Sequence, residues 1–166
     1  MDRVRGAYRD AHARFVKRLA DAPAEAAERV PADGGWSAAQ IGWHVAAVTT
    51  RFAGLISGDL EGAKALSGDF RERAWPEVVA SIPPKLQAPA ALAPPPGVRR
   101  SDAIAALEAA GMRMARALDS LTPERGARMG VTSAVVGSIT VYQIGEWATA
   151  HIIRHNRQAK RVLGEG

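Results

Sequence analysis

Apolar residues return at three- and four-residue intervals in four stretches of this chain, the spacing that lines one face of an α-helix. Residues 3–22 carry Val4, Tyr8, Ala11, Phe15 and Leu19 in that rhythm and break off before Pro23. A turn-rich piece, "VPADGG" at 30–35, leads to Ser37, where "SAAQ" has the form of a capping box: Ser37 caps the Gln40 amide and Gln40 reaches back. The stripe that follows is Ile41, His44, Val45, Val48, Phe52 and Leu55, with Gly58 as its stop. A third helix is expected from a Ser101-Asp102 cap, with Ile104, Leu107, Met114, Leu118 and Leu121 on one face. The fourth opens at Thr140 in a second capping box, "TVYQ", and runs to about Leu163, before Gly164.

Residues 59–100, between the second and third helices, have little periodicity. "WPEVVASI" suits one short helix, because proline is tolerated in a first turn. "PPKLQAPAALAPPPGV" holds six prolines and suits neither a helix interior nor a central strand. Such a segment is unusual inside a compact domain unless it crosses over the fold or covers a site. A second irregular connection, 122–139, has room for a short extended piece at Ser133–Val136. The pattern predicts an all-α fold, a four-helix bundle with a long Pro-rich crossover between helices 2 and 3, as a single domain over 1–166.

Composition agrees with helices: alanine and arginine are plentiful, while aromatic residues make up 5% of the chain. With no cysteine, disulfides and thiolate metal sites are excluded, so a metal would need histidine or carboxylate ligands. Neither a secretion signal nor a membrane-spanning apolar run is visible, so a cytoplasmic protein without membrane contact is expected. A net charge of +5 raises nucleic acid as a partner. The basic residues are nonetheless dispersed among acids. Their one dense run, Arg154, Arg157, Lys160 and Arg161, suits a solvated helix C-terminus, which argues against nucleic acid.

The chemistry lies in the histidines. His151 and His155 are four residues apart, one above the other on a helix, on the face of Ile144, Trp147, Ala148, Gln158 and Val162. His44 shares the stripe of the second helix. Three imidazoles turned inward suit a divalent ion with open coordination positions, or satisfied core histidines; spacing leaves both open. Near them, Gln158 suits a hydrogen bond to a histidine or a helix-end role, and Trp147 suits a wall of the site or plain packing. Arg51, on the His44 face, suits a substrate carboxylate or a solvated helix end. His12 at the edge of the first stripe reads as structural, and Trp36 as a packing residue. Glu146 falls opposite the ligand face, and spacing places no general acid or base, so the catalytic group stays unassigned.

"GGWSAAQIGWHVAAV" and "GSITVYQIGEWATAHIIRHNRQAKRVL" resemble the first histidine motif and the last helix of the DinB-like (YfiT-like) family of bacterial metal-binding four-helix bundles. The resemblance implies that His44, His151 and His155 are the ligands of one divalent ion, zinc first, with nickel or iron as alternatives. It also implies a homodimer. Related proteins include thiol-dependent transferases using mycothiol or bacillithiol, and metal-dependent hydrolases. The expected function is therefore a metal-dependent enzyme, a thiol-dependent transferase or hydrolase acting on an unidentified small-molecule substrate, with a low-molecular-weight thiol as candidate cosubstrate. The alternative is a non-catalytic metal-binding stress-response module acting as a dimer.

Overall fold

The structure, a computed structural model, describes residues 2–83 and 87–165. Pro84, Lys85 and Leu86 of the Pro-rich run lie outside the described residues. In chain order the elements are α1 (Asp2–Asp21), α2 (Ala24–Glu28), α3 (Ala38–Ser57), β1 (Lys64–Ala65), α4 (Trp75–Ala80), α5 (Arg100–Ser120), α6 (Pro123–Arg128), β2 (Met129–Ser133), β3 (Gly137–Thr140) and α7 (Val141–Val162); a 3-10 turn at Ala90–Leu92 precedes α5. Among the described residues no helix is long and apolar enough to cross a membrane.

The four long helices share one core because their stripes meet. Phe15 and Leu19 of α1, Ile41 and Val45 of α3, Leu107 and Met114 of α5, and Ile144 and Ile152 of α7 are all buried in it. Small residues set the closest approaches. Gly42 of α3 faces Leu19, Ala103 and Leu107, and Gly145 of α7 faces Val4 and Leu118. At the other end of α1, Arg18 Nε donates to Asn156 Oδ1. α1 and α7 therefore run one way, and α3 and α5 the other. That arrangement requires a crossover from the end of α3 to the start of α5, as the six prolines suggested.

The capping boxes at Ser37–Gln40 and Thr140–Gln143 both form. In each, the glutamine Oε1 accepts from the cap amide, and its Nε2 donates to the crossover backbone. Gln40 reaches the Pro95 carbonyl at 3.0 Å and Gln143 the Arg73 carbonyl at 2.7 Å. Two buried amides thus fasten the crossover at two points, Arg73 and Pro95.

The fold is mostly helical, as expected, and the short α6 and a small three-stranded antiparallel sheet in the order β1-β2-β3 occupy the connections. Two expectations need correction. The extended piece expected at 133–136 is instead centred on the hairpin's turn, with strands on either side. Gly137 enters β3 at a φ of 71°, a left-handed conformation glycine adopts without strain. The second correction concerns α5, which starts at Arg100 from an Arg99 cap without a side-chain bond, so Ser101 and Asp102 sit inside its first turn. Its first amide is satisfied from elsewhere: Glu28 Oε1 at the end of α2 accepts from Arg100 N at 2.9 Å. A carboxylate at a helix start also opposes the positive end of the helix dipole.

Gly130 is the tightest point of the sheet. A Cβ there would stand 2.4 Å from the Ile139 carbonyl oxygen and 2.6 Å from Leu66 Cδ2. Because backbone cannot step aside, Gly130→Ala is expected to cost about 2–3 kcal/mol. Chemical denaturation reads this directly; an unchanged midpoint would contradict the register that pairs Gly130 with Thr140.

Candidate metal centre

α3 and α7 run antiparallel and bring three imidazoles to one point. The ring centroids of His44 and His151 are 5.2 Å apart, those of His44 and His155 5.0 Å, and those of His151 and His155 4.4 Å. One ring nitrogen from each lies within 4.8 Å of the others, and among the described residues no Asp or Glu completes the group. His44 is buried. His151 and His155 are half-buried, because the sealed stripe of α7 centres on Ile144, Ala148, Ile152 and Ala159 and the histidines flank it. A group at the flank of a helix interface can be reached; one at its centre cannot.

Hydrogen bonds orient two of the rings. A carbonyl oxygen only accepts, so the 2.8 Å contact between His44 Nδ1 and the Leu92 oxygen places a proton on Nδ1. The same holds for His155 Nδ1 and the Gln158 amide oxygen Oε1, 2.8 Å away. Both rings then keep an Nε2 lone pair. His151 Nδ1 is buried with no hydrogen-bond partner, one of two such side-chain atoms among the described residues. Three neutral imidazoles, each offering one nitrogen within 4.8 Å of the others, form a group that one cation can satisfy.

The protonation states agree. Burial is the largest influence on all three, pushing them away from the charged form. His44 is lowered against the raising effect of its Leu92 bond. His155 is pushed down to about 4 by burial and then by His44, its bond to Gln158 working the other way. His151 is held well below the usual histidine range by burial, then by His155 and His44. Near neutral pH the group is three neutral imidazoles, the form in which histidine ligates metals.

These directions fix a sign for acid behaviour. In the unfolded chain the imidazoles protonate near their ordinary value of about 6.5, and His155 in the folded chain protonates only near 4. Between those values the unfolded chain binds more protons, so acidification favours unfolding. In chelator, thermal stability should fall steadily from pH 7 to 4.5, with His155 contributing up to about 3 kcal/mol. His155→Gln should flatten the profile, and a flat profile in the parent chain would contradict the burial of the group.

The other candidate residues divide. Gln158 is placed at the site by its bond to His155. Trp147 packs on Phe52 with centroids 5.3 Å apart, one turn before His151. Trp36 packs against the group itself, its ring 4.9 Å from that of His44. Sequence reasoning gave Trp36 packing alone; its place just ahead of the Ser37 cap was the available signal. The Leu92 carbonyl was also missed, and a backbone oxygen in a Pro-rich run leaves no signal. Arg51 is exposed and lines a cleft between α3 and α5, away from the histidines. His12 stacks on Tyr8 and contacts the Leu107 oxygen through Nε2, over Gly111, in a structural role. Glu146 feels Glu72 and Arg3 and does not join the histidine group.

Gln158→Leu keeps the volume and removes the acceptor that orients His155. Zinc affinity, measured by competition with a chromophoric chelator, should fall about 10–100-fold, as for other groups that orient metal ligands. An unchanged affinity would deny Gln158 that role.

Compared with known families, residues 7–159 match the model of the DinB superfamily, a span holding all three histidines and Gln158. No curated protein matches the chain.

Proposed function

We propose that this chain, which belongs to the DinB superfamily, binds one divalent ion through His44, His151 and His155 and acts with it on a small-molecule substrate. The observation that carries the reading is the convergence of three neutral imidazole rings, two with Nδ1 tied outward and the third with a buried, unpartnered Nδ1. An ion so held keeps positions for water, thiol or substrate, lowers the pKa of a bound nucleophile and polarises a carbonyl. Leu92 and Gln158 hold the His44 and His155 rings by their Nδ1 atoms, and Trp36 packs against the group. The reading is a thiol-dependent transferase or a hydrolase. Zinc is the first candidate ion, with nickel and iron next, and the four long helices are read as a four-helix bundle that works as a homodimer.

A second reading, a non-catalytic metal-binding stress-response module, is favoured by one observation: no carboxylate joins the histidines as a general base among the described residues. The two separate in one assay. Chelator-stripped and zinc-reloaded protein is offered a low-molecular-weight thiol with an electrophile, and separately activated esters and amides. Zinc-dependent turnover that disappears in His44→Ala supports the enzyme. Tight zinc binding without turnover on either substrate class supports the module.

A further inference from the structure

Away from the histidines, the outer face of α3 and α5 carries a cleft of about 610 Å³ edged by three arginines, Arg51, Arg113 and Arg116, with the hydroxyls of Thr50, Ser57 and Ser120 along it. Asp59 is the one carboxylate among its lining residues. All three arginines are exposed, and among the described residues none makes an ion pair or a hydrogen bond. By contrast, Arg5, Arg18, Arg100 and Arg125 are each engaged with carboxylates or carbonyls. Three cations thus line one cleft without an ion pair, against a single carboxylate, Asp59. Arg113 and Arg116 project from neighbouring turns of α5, and Arg51 comes from α3, so their forks approach the space from two walls.

The cleft continues into a second space of about 360 Å³ that shares Thr50 and Arg113 with it. This extension is apolar: Trp43, Ala46 and Ala47 on α3 face Ala106, Ala109 and Ala110 on α5. The small side chains leave room for a flat or extended body, and the Trp43 ring offers a surface for it. A cationic end joined to an apolar, aromatic-walled end, with combined size in the range of small-molecule sites, suits an amphipathic anion. Guanidinium forks match phosphate oxygens two bonds at a time, which favours phosphate over a single carboxylate.

We propose that this cleft is a second binding site, for a small organic phosphate whose oxyanion meets Arg51, Arg113 and Arg116 and whose apolar body lies along Trp43. It does not depend on the reading of the histidine centre. The test is isothermal titration of the full chain with AMP and with inorganic pyrophosphate at about 0.1 M salt, where screening of long-range charge is already substantial. Wild type should bind both saturably and AMP more tightly per unit charge. R113Q/R116Q should weaken both by about tenfold or more, in line with losing charge-assisted bidentate contacts. Trp43→Ala should weaken AMP alone, and His155→Ala should change neither. Circular dichroism of the variants separates loss of binding from loss of fold. No saturable binding, binding indifferent to R113Q/R116Q, or equal loss in His155→Ala would each overturn the site; AMP binding left unchanged by Trp43→Ala would overturn the apolar arm.

Discussion

His155→Ala should reduce zinc affinity by well over about 100-fold, beyond the 10–100-fold that follows loss of an orienting neighbour. On the proposed ligand set the loss is large because His155 would supply one of three protein ligands, and no Asp or Glu lies within the group to replace it among the described residues. The substitution also removes the ring that faces both other histidines, at 5.0 and 4.4 Å. In chelator the variant should be the more acid-tolerant of the two below about pH 6.5, since a depressed imidazole has been deleted. In excess zinc wild type should gain far more stability than the variant, because an ion that binds the folded chain alone stabilises it by mass action. Thermal unfolding of both proteins, with and without zinc, gives the four values. A variant as strongly stabilised by zinc as wild type would remove His155 from the ligand set.

Gln143→Glu is expected to destabilise the protein by roughly 2–4 kcal/mol, although glutamate serves a capping box as well as glutamine does. Gln143 is 1% exposed, and its Nε2 donates to the Arg73 carbonyl at 2.7 Å. A carboxylate at that place has no proton to donate and sets negative charge against the carbonyl in a buried position. For a chain of this size the loss corresponds to a fall in Tm of about 5–15 °C. It should ease below pH 5, where a carboxyl group regains a proton to donate. A Tm within about 2 °C of wild type would show that the crossover does not rely on this amide. The expectation comes wholly from the fold: read as sequence, "TVYQ" and "TVYE" are equivalent.

That contrast marks what can be read from residues alone. The four long helices were legible because their apolar stripes persist for about four turns or more and two begin in capping boxes that form. The histidine cluster was legible because His-x3-His fixes two rings on one helix, and a long crossover fits α3 lying antiparallel to α7. The sheet was not legible. β1 has two residues, and β2 and β3 have five and four, too few for alternation to stand out from a turn-rich run. Helix geometry misled on Arg51: seven residues return it almost to the His44 direction, yet about 10 Å further along the axis. At that level the face looks onto the α3–α5 cleft and not onto α7. Glu28 capping α5 and Leu92 orienting His44 join residues far apart in the chain, so no local pattern announces either contact.

The central claim, that three histidines hold one ion, is tested most directly by X-ray absorption on protein loaded with one equivalent of zinc. One tightly held ion per chain is expected, with three imidazole nitrogens at about 2.0–2.1 Å and the remaining scattering from light oxygen or nitrogen. Fewer than three imidazoles around the ion, or no zinc retained after desalting, would contradict it.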